Sequence, residues 1–329
     1  MRVLFIGGTG NISAACSRRA LASGIDLHIL TRGGRKLDLG GAQSIVADAT
    51  DESALLAAVA RQTFDVVVDF IAFDLPDVER DLRVFSGRCG QYVFISSASV
   101  YRKPCLRPIT EDVPLENRWW DYARRKIACE RRLHEQTTTG VPVTIVRPSL
   151  TYDTVIPLPL VSWNQWTLVD RMVRGLPVVV PGDGNGPFTV THADDFAVGL
   201  VGLLGNPAAL GQAFHITGDE LLTWDQIHQL VAAAVGVEAT LVHLASEQIA
   251  ALLPGRAGSL LGDKAHATVF DNARIKAAVP GFAQRVPFAE GIRRTVAWFR
   301  SDPARMIVSA EGNAAIERLL AAGAAFLAG

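Results

Sequence analysis

The 329-residue chain carries 32 Lys+Arg against 33 Asp+Glu, and 49% of its residues are hydrophobic. That excludes a disordered chain, gives no general attraction for nucleic acid or anionic lipid, and leaves no apolar run near the roughly 18 residues of a membrane helix. Cys16, Cys89, Cys105 and Cys129 follow no ligand or disulfide spacing, so reduced thiols, a cytoplasmic location and no metal centre are expected.

Val3-Leu4-Phe5-Ile6 is a short apolar run that reads as a buried parallel strand. A helix follows over roughly 12–23, closed by Gly24. Further strands are expected at 27–30, 44–47, 65–70, 92–96 and 142–147, with helices at 51–62 and 121–135 between them. Strands alternating with helices of this length imply βαβ units and a parallel sheet covered on both faces. After Pro148 the rhythm changes. A short helix at 167–174, a strand at 178–180, a helix at 194–204 and a core strand at 213–216 precede a mostly helical C-terminus. The fold class is therefore α/β: a Rossmann-type doubly wound parallel sheet with a smaller, mostly helical C-terminal cap. Residues 1–150, completed by about 188–218, form the first unit; 151–187 and 219–329 form the substrate-binding cap. The alanine-rich helix near 313–327 would serve either core packing or a homodimer contact.

Gly7-Gly8-Thr9-Gly10-Asn11-Ile12-Ser13 stands between the first strand and the first helix. Glycines there let backbone approach a pyrophosphate that the helix N-terminus stabilises. Ser13 occupies the place of a third glycine. The second strand closes on Thr31 and Arg32 rather than on a carboxylate for a ribose 2′-hydroxyl. Arg32, with Arg35 and Lys36 close by, favours a 2′-phosphate and so NADP(H), with NAD(H) as the alternative. An ordinary solvated loop arginine is the competing reading. Asp48 meets either the adenine edge or a helix N-terminus.

Ser96-Ser97-Ala98-Ser99-Val100-Tyr101 follows the fifth strand, and Tyr122 and Lys126 share one face of the next helix. A phenol of pKa about 10 is a poor base at neutral pH, and a lysine one turn away would lower it. A serine would hydrogen-bond the alcohol or carbonyl oxygen being interconverted.

These motifs, with Val146-Arg147-Pro148 and Thr191-His192-Ala193-Asp194-Asp195, resemble the extended short-chain dehydrogenases/reductases, the NAD(P)-dependent nucleotide-sugar epimerase/dehydratase group. The resemblance implies a catalytic set of Ser97, Tyr122 and Lys126. It implies cofactor contacts along Gly7, Thr9, Gly10, Asn11, Ile12, Arg32, Asp48, Ala49, Ile71, Ala72, Tyr122, Lys126 and Pro148. A small-molecule substrate, a nucleotide sugar, would meet Ser97, Tyr152, Trp163, Asn164 and Arg274, with neither nucleic acid nor membrane as partner. Trp163 and Trp166 serve packing as readily as substrate, and Arg171, Arg174, Arg256, Arg274 and Arg293 are candidates for a diphosphate or merely solvated.

Departures refine the expectation. Ala98 and Ser99 stand where 4,6-dehydratases carry an Asp-Glu pair, which argues against water elimination. Tyr152-Asp153-Thr154 replaces the common Tyr-Gly-Pro. The loop and serine motifs also resemble a branch that includes plastid RNA-binding proteins. A ketoreductase of a non-sugar substrate and a catalytically retired RNA-binding relative are therefore the alternatives. His192 with Asp194 and Asp195 reads as a turn and N-cap rather than a metal site, and His215 as a satisfied core histidine.

Overall fold

The computed structural model describes residues 1–34, 39–105, 108–136 and 140–328; Arg35 and Lys36 lie outside them. The first half runs β1 (Arg2–Ile6), α1 (Ser13–Ala22), β2 (Asp26–Thr31), β3 (Gln43–Val46), α2 (Glu52–Val59) and β4 (Phe64–Asp69). It continues through α3 (Leu75–Phe85), β5 (Cys89–Ile95), α4 (Asp121–Gln136) and β6 (Val143–Pro148). There follow β7 (Leu150–Tyr152), α5 (Thr167–Val173), β8 (Val178–Pro181), β9 (Pro187–His192), α6 (Ala193–Leu203) and β10 (Ala213–Ile216). The remainder comprises β11 (Leu221–Thr223), α7 (Trp224–Val235), β12 (Leu241–Leu244), α8 (Ser246–Leu252) and α9 (Pro254–Ser259). A π-helical turn (Leu260–Lys264), α10 (Ala273–Ala278), α11 (Phe288–Arg300) and α12 (Ala310–Ala328) complete it.

Seven parallel strands lie in the order β10-β6-β5-β4-β1-β2-β3. The order reverses between β1 and β4, which opens a crevice beyond their carboxyl ends, the place where such sheets bind ligands. Alternation along β1 explains the layering. Val3 and Phe5 enter a core with Cys16 of α1 and Phe196 of α6, whereas Leu4 and Ile6 face Leu55 of α2 and Leu82 of α3.

Helix α3 has no counterpart among the sequence expectations. Its start signal was nevertheless present, since Asp74 and Asp77 form a reciprocal capping box around Pro76. The second half adds short strands to the expected helices. Two small sheets, β11-β9-β7 and β12-β8, carry Tyr152, Phe188 and Val178–Val180 into a core of their own with Trp166, Trp224 and Phe299. Ile316 and Leu319 of α12 are buried in that core. His192 caps α6 by accepting from Asp194 N at 3.2 Å, and His215 bonds Tyr101 at 3.1 Å and Asp271 O at 2.8 Å.

Candidate active site

The chain leaves β1 through Gly7, whose φ of +85° is open to glycine at little cost. A Cβ there would sit 2.5 Å from Ile71 Cγ2. Ser13, in place of a third glycine, knits the loop: its hydroxyl donates to Gly7 O at 2.7 Å and accepts from Gly10 N at 2.8 Å. Ser17 donates to Gly8 O at 2.8 Å. Gly7→Ala should therefore weaken dinucleotide binding by about 10-fold or more, because strained backbone or a displaced Ile71 must be accommodated. Titration with NADH and NADPH checks this, and unchanged affinity for both would remove the loop from the cofactor site.

Two cavities meet over this loop, sharing Gly7, Gly10 and Ile71. One, about 550 Å³, is lined by Thr9, Thr31, Arg32, Asp48, Ala49 and Phe73. The other, about 520 Å³, is lined by Asn11, Ile12, Ser97, Tyr122, Pro148, Trp163 and Asn164. Asp48 does not cap α2; that role falls to Asp51, which accepts from Ser53 N at 2.9 Å. Asp48 instead accepts from Thr50 N and Oγ1 at 2.9 and 2.7 Å, bonds that hold its carboxyl below the usual range. A glycine cradle that excludes Cβ atoms and two confluent cavities fit an extended dinucleotide. Asn11 also clamps the loop to the chain after β7, donating to Thr151 O at 3.1 Å and accepting from Asp153 N at 3.0 Å.

The loop after β4 is shaped by Asp69, buried, whose Oδ1 accepts from Ile71 N at 2.5 Å and Ala72 N at 2.8 Å. Asp69 belongs to none of the motifs that mark the site in the sequence. A carboxylate ending an apolar strand was the available signal, since it must find donors in the following turn.

Beyond β5, Ser96 turns into the core toward Glu130, while Ser97 lines the cavity. Ser97 Oγ lies 2.9 Å from Ser99 Oγ and accepts from Ser99 N at 3.1 Å. Tyr122, in the first turn of α4, lines the same cavity as Ser97, which acts to lower its phenol. One turn on, the Lys126 ammonium donates to Ala72 O at 2.6 Å and Ile95 O at 2.8 Å, and lies 5.8 Å from the Tyr122 ring centroid. Burial brings Lys126 down to about 8. The expected lowering of the tyrosine by this lysine is not what the structure shows. Burial raises Tyr122, outweighing the lowering by Ser97, and Asp263 adds to the rise. The reason is orientation: the ammonium is spent on two backbone carbonyls rather than on the phenol.

The second half supplies the opposite wall. Trp163, Asn164, Asp263 and Lys264 line the 520 Å³ cavity there, with Trp120 of the first half beside them. Asn117 ties that wall to the serine turn, donating to Ser99 O at 2.9 Å and Gly262 O at 2.8 Å. Two expected substrate residues are elsewhere. Tyr152 is wholly buried and donates to Phe288 O at 3.4 Å, because β7 turns it into the second core. Arg274 pairs with Asp112 at 2.8 Å and Glu111 at 3.5 Å and lines a separate cavity. Trp166 packs on Phe299, and Arg171 is buried against Pro177 O and Glu317. Asp263 and Lys264 were missed because nothing local marks a π-helical turn that reaches back to Tyr122.

A doubly wound sheet, a glycine cradle at its switch point and a Ser-Tyr-Lys set on one cavity define a Rossmann-type short-chain dehydrogenase/reductase. Residues 3–217 match the model of the NAD dependent epimerase/dehydratase family, and the chain belongs to that family. It is 26% identical over 257 residues to chloroplast stem-loop binding protein of 41 kDa b of Arabidopsis thaliana, covering 74% of this chain and 65% of that protein. It is 26% identical over 241 residues to 2'-dehydrokanamycin reductase of Streptomyces kanamyceticus, covering 72% and 67%. The chain thus spans about two thirds of these relatives. The structure of UDP-glucose 4-epimerase from Bifidobacterium longum, in complex with NAD+ and UDP, superimposes with a TM-score of 0.75 at 18% identity, covering 92% of this chain and 99% of that one.

Proposed function

We propose that this protein is an NAD(P)-dependent oxidoreductase or epimerase acting on a hydroxyl or keto carbon of a nucleotide sugar. The observation that carries the reading is that Ser97 and Tyr122 line one cavity, continuous with the glycine loop. A bound nicotinamide would supply hydride exchange at the reacting carbon. Tyr122 moves the proton at the substrate oxygen, and Ser97 holds that oxygen by hydrogen bonding. Lys126 fixes the loop after β4 against the end of β5 through Ala72 O and Ile95 O. Ala98 and Ser99 offer no acid–base pair for eliminating water, and Asp263 is held between Lys103 and Lys264.

The Tyr122 phenol donates to the substrate oxygen in the reductive direction, and as phenolate accepts from the alcohol in the other. NADP(H) fits the rim, where Arg32 and Thr31 stand without a carboxylate at the end of β2; NAD(H) is the alternative, and the Bifidobacterium enzyme holds NAD+. Arg32→Asp should shift the NADPH-to-NADH affinity ratio toward NADH by about 10-fold or more, the worth of a charge-assisted phosphate contact. An unaltered ratio would show that Arg32 does not read the phosphate.

The 2'-dehydrokanamycin reductase relative favours a second reading, reduction of a ketone outside nucleotide-sugar chemistry. Turnover of UDP-, GDP- and dTDP-sugars against other ketones separates the two. The stem-loop binding relative raises nucleic acid as a partner. If the purified protein binds neither NADPH nor NADH, the enzyme reading fails. A cytoplasmic setting and a homodimer complete the proposal; among the described residues no helix is long and apolar enough to cross a membrane.

A further inference from the structure

Among the residues lining the 520 Å³ cavity, the charged ones are Asp263 and Lys264, both from the π-helical turn. Asp263 is already answered twice. Lys103, itself buried, pairs with its Oδ1, and Lys264 Nζ donates to its Oδ2 at 3.1 Å. The three groups together carry one net positive charge. Burial alone would raise Asp263, but the two ammonium groups outweigh it and hold the carboxyl at about 2.

The Lys264 ammonium lies 5.7 Å from the ring centroid of Trp120 and 5.6 Å from that of Trp163. Those two rings, Asn164 and Lys264 also line an adjoining chamber of about 340 Å³, which adds Arg256 and no carboxylate. The turn is rigidly seated: Trp224 Nε1 donates to Lys264 O at 3.0 Å, and Asn117 holds Gly262 O. Among the described residues Asp263 is the hydrogen-bond acceptor of the Lys264 ammonium, so N–H donors remain for a ligand.

We infer that Lys264 selects the substrate by charge: fixed by Asp263 between Trp120 and Trp163, its ammonium receives an anionic oxygen group, carboxylate or phosphate, near the reacting carbon. A largely desolvated cation in a fixed place discriminates strongly, because an uncharged or cationic group would leave it unanswered. The inference rests on this cavity being the substrate site, as proposed above, and does not require that the substrate carry a nucleotide.

The test measures binding to the full chain by calorimetry and by the fluorescence of the tryptophans flanking Lys264. The probes are UDP-glucuronate, UDP-glucose, UDP, free glucuronate and inorganic pyrophosphate. Lys264→Met should weaken the anionic probes by about 10-fold or more, while Lys264→Arg restores most of the affinity. Lys103 still answers Asp263 in both variants, and retained NAD(P)H binding reports an intact fold. A loss confined to the glucuronates identifies a carboxylate; a loss shared by UDP, UDP-glucose and pyrophosphate identifies phosphate. Equal binding by wild type and Lys264→Met overturns the inference yet leaves the nucleotide-sugar reading standing if UDP-sugars bind. Lys264-dependent binding of glucuronate or pyrophosphate without turnover of any nucleotide sugar has the opposite consequence. Failure of the wild type to bind any anion, with NAD(P)H still bound, also overturns it.

Discussion

Tyr122→Phe is expected to lower kcat by about 10³-fold while leaving NAD(P)H affinity within a small factor of wild type. Phenylalanine keeps the ring that packs on Trp120, with centroids 4.8 Å apart, so the wall of the cavity survives. What is removed is the hydroxyl that shares the cavity with Ser97 and, with it, the group that exchanges a proton with the substrate oxygen. The pH dependence gives a second readout. Because burial holds the phenol above its ordinary value, the reductive direction, which needs the protonated form, should stay level through neutral pH. Oxidation of the alcohol needs the phenolate and should climb on the alkaline side. The climb should vanish in Tyr122→Phe. Residual activity within 10-fold of wild type, or an unchanged alkaline limb, would assign the proton transfer to another group.

Glu130→Ala should destabilise the fold by about 3–5 kcal/mol, an effect on structure rather than on chemistry. Glu130 sits one turn beyond Lys126 on α4, and its carboxylate accepts from Arg147 Nη2 at 2.6 Å and from Arg147 Nε at 3.1 and 3.2 Å. The same carboxylate accepts from Ser96, beside the cavity serine. Arg147 is 4% exposed and also donates to Tyr101 Oη at 3.0 Å and Glu111 O at 3.2 Å. Deleting the carboxylate strands a guanidinium that is only 4% exposed. Guanidinium unfolding checks the magnitude. The double variant Glu130→Leu/Arg147→Met should recover most of the loss, since paired apolar replacements remove the stranded charge. A loss below about 1 kcal/mol for Glu130→Ala would mean that Tyr101 and Glu111 suffice to hold the arginine.

The core of the fold was legible because its signals are local. Short β-branched runs such as Val66-Val67-Val68 can only be buried strands between helices, and β4 and β10 lie where their apolar runs place them. Boundaries moved by one to three residues, as frayed ends allow. Helix α3, absent from the sequence expectations, carries charge inside: Arg80 and Asp81 pair with each other and are buried.

The site divides along the same line. Sequence by itself determined the glycine loop between β1 and α1 and the shared helical face of Tyr122 and Lys126, since both follow from spacing along one continuous backbone. It also marked Arg32 at the end of β2. Tertiary structure alone decided which way several of the expected site side chains point. Tyr152 went to the core, Arg274 to Glu111 and Asp112, and Lys126 to two backbone carbonyls. Only packing brought Asp263 and Lys264 to the wall facing Tyr122. A side chain's partner across more than a hundred residues depends on how two cores meet, and no period or spacing in the chain records that.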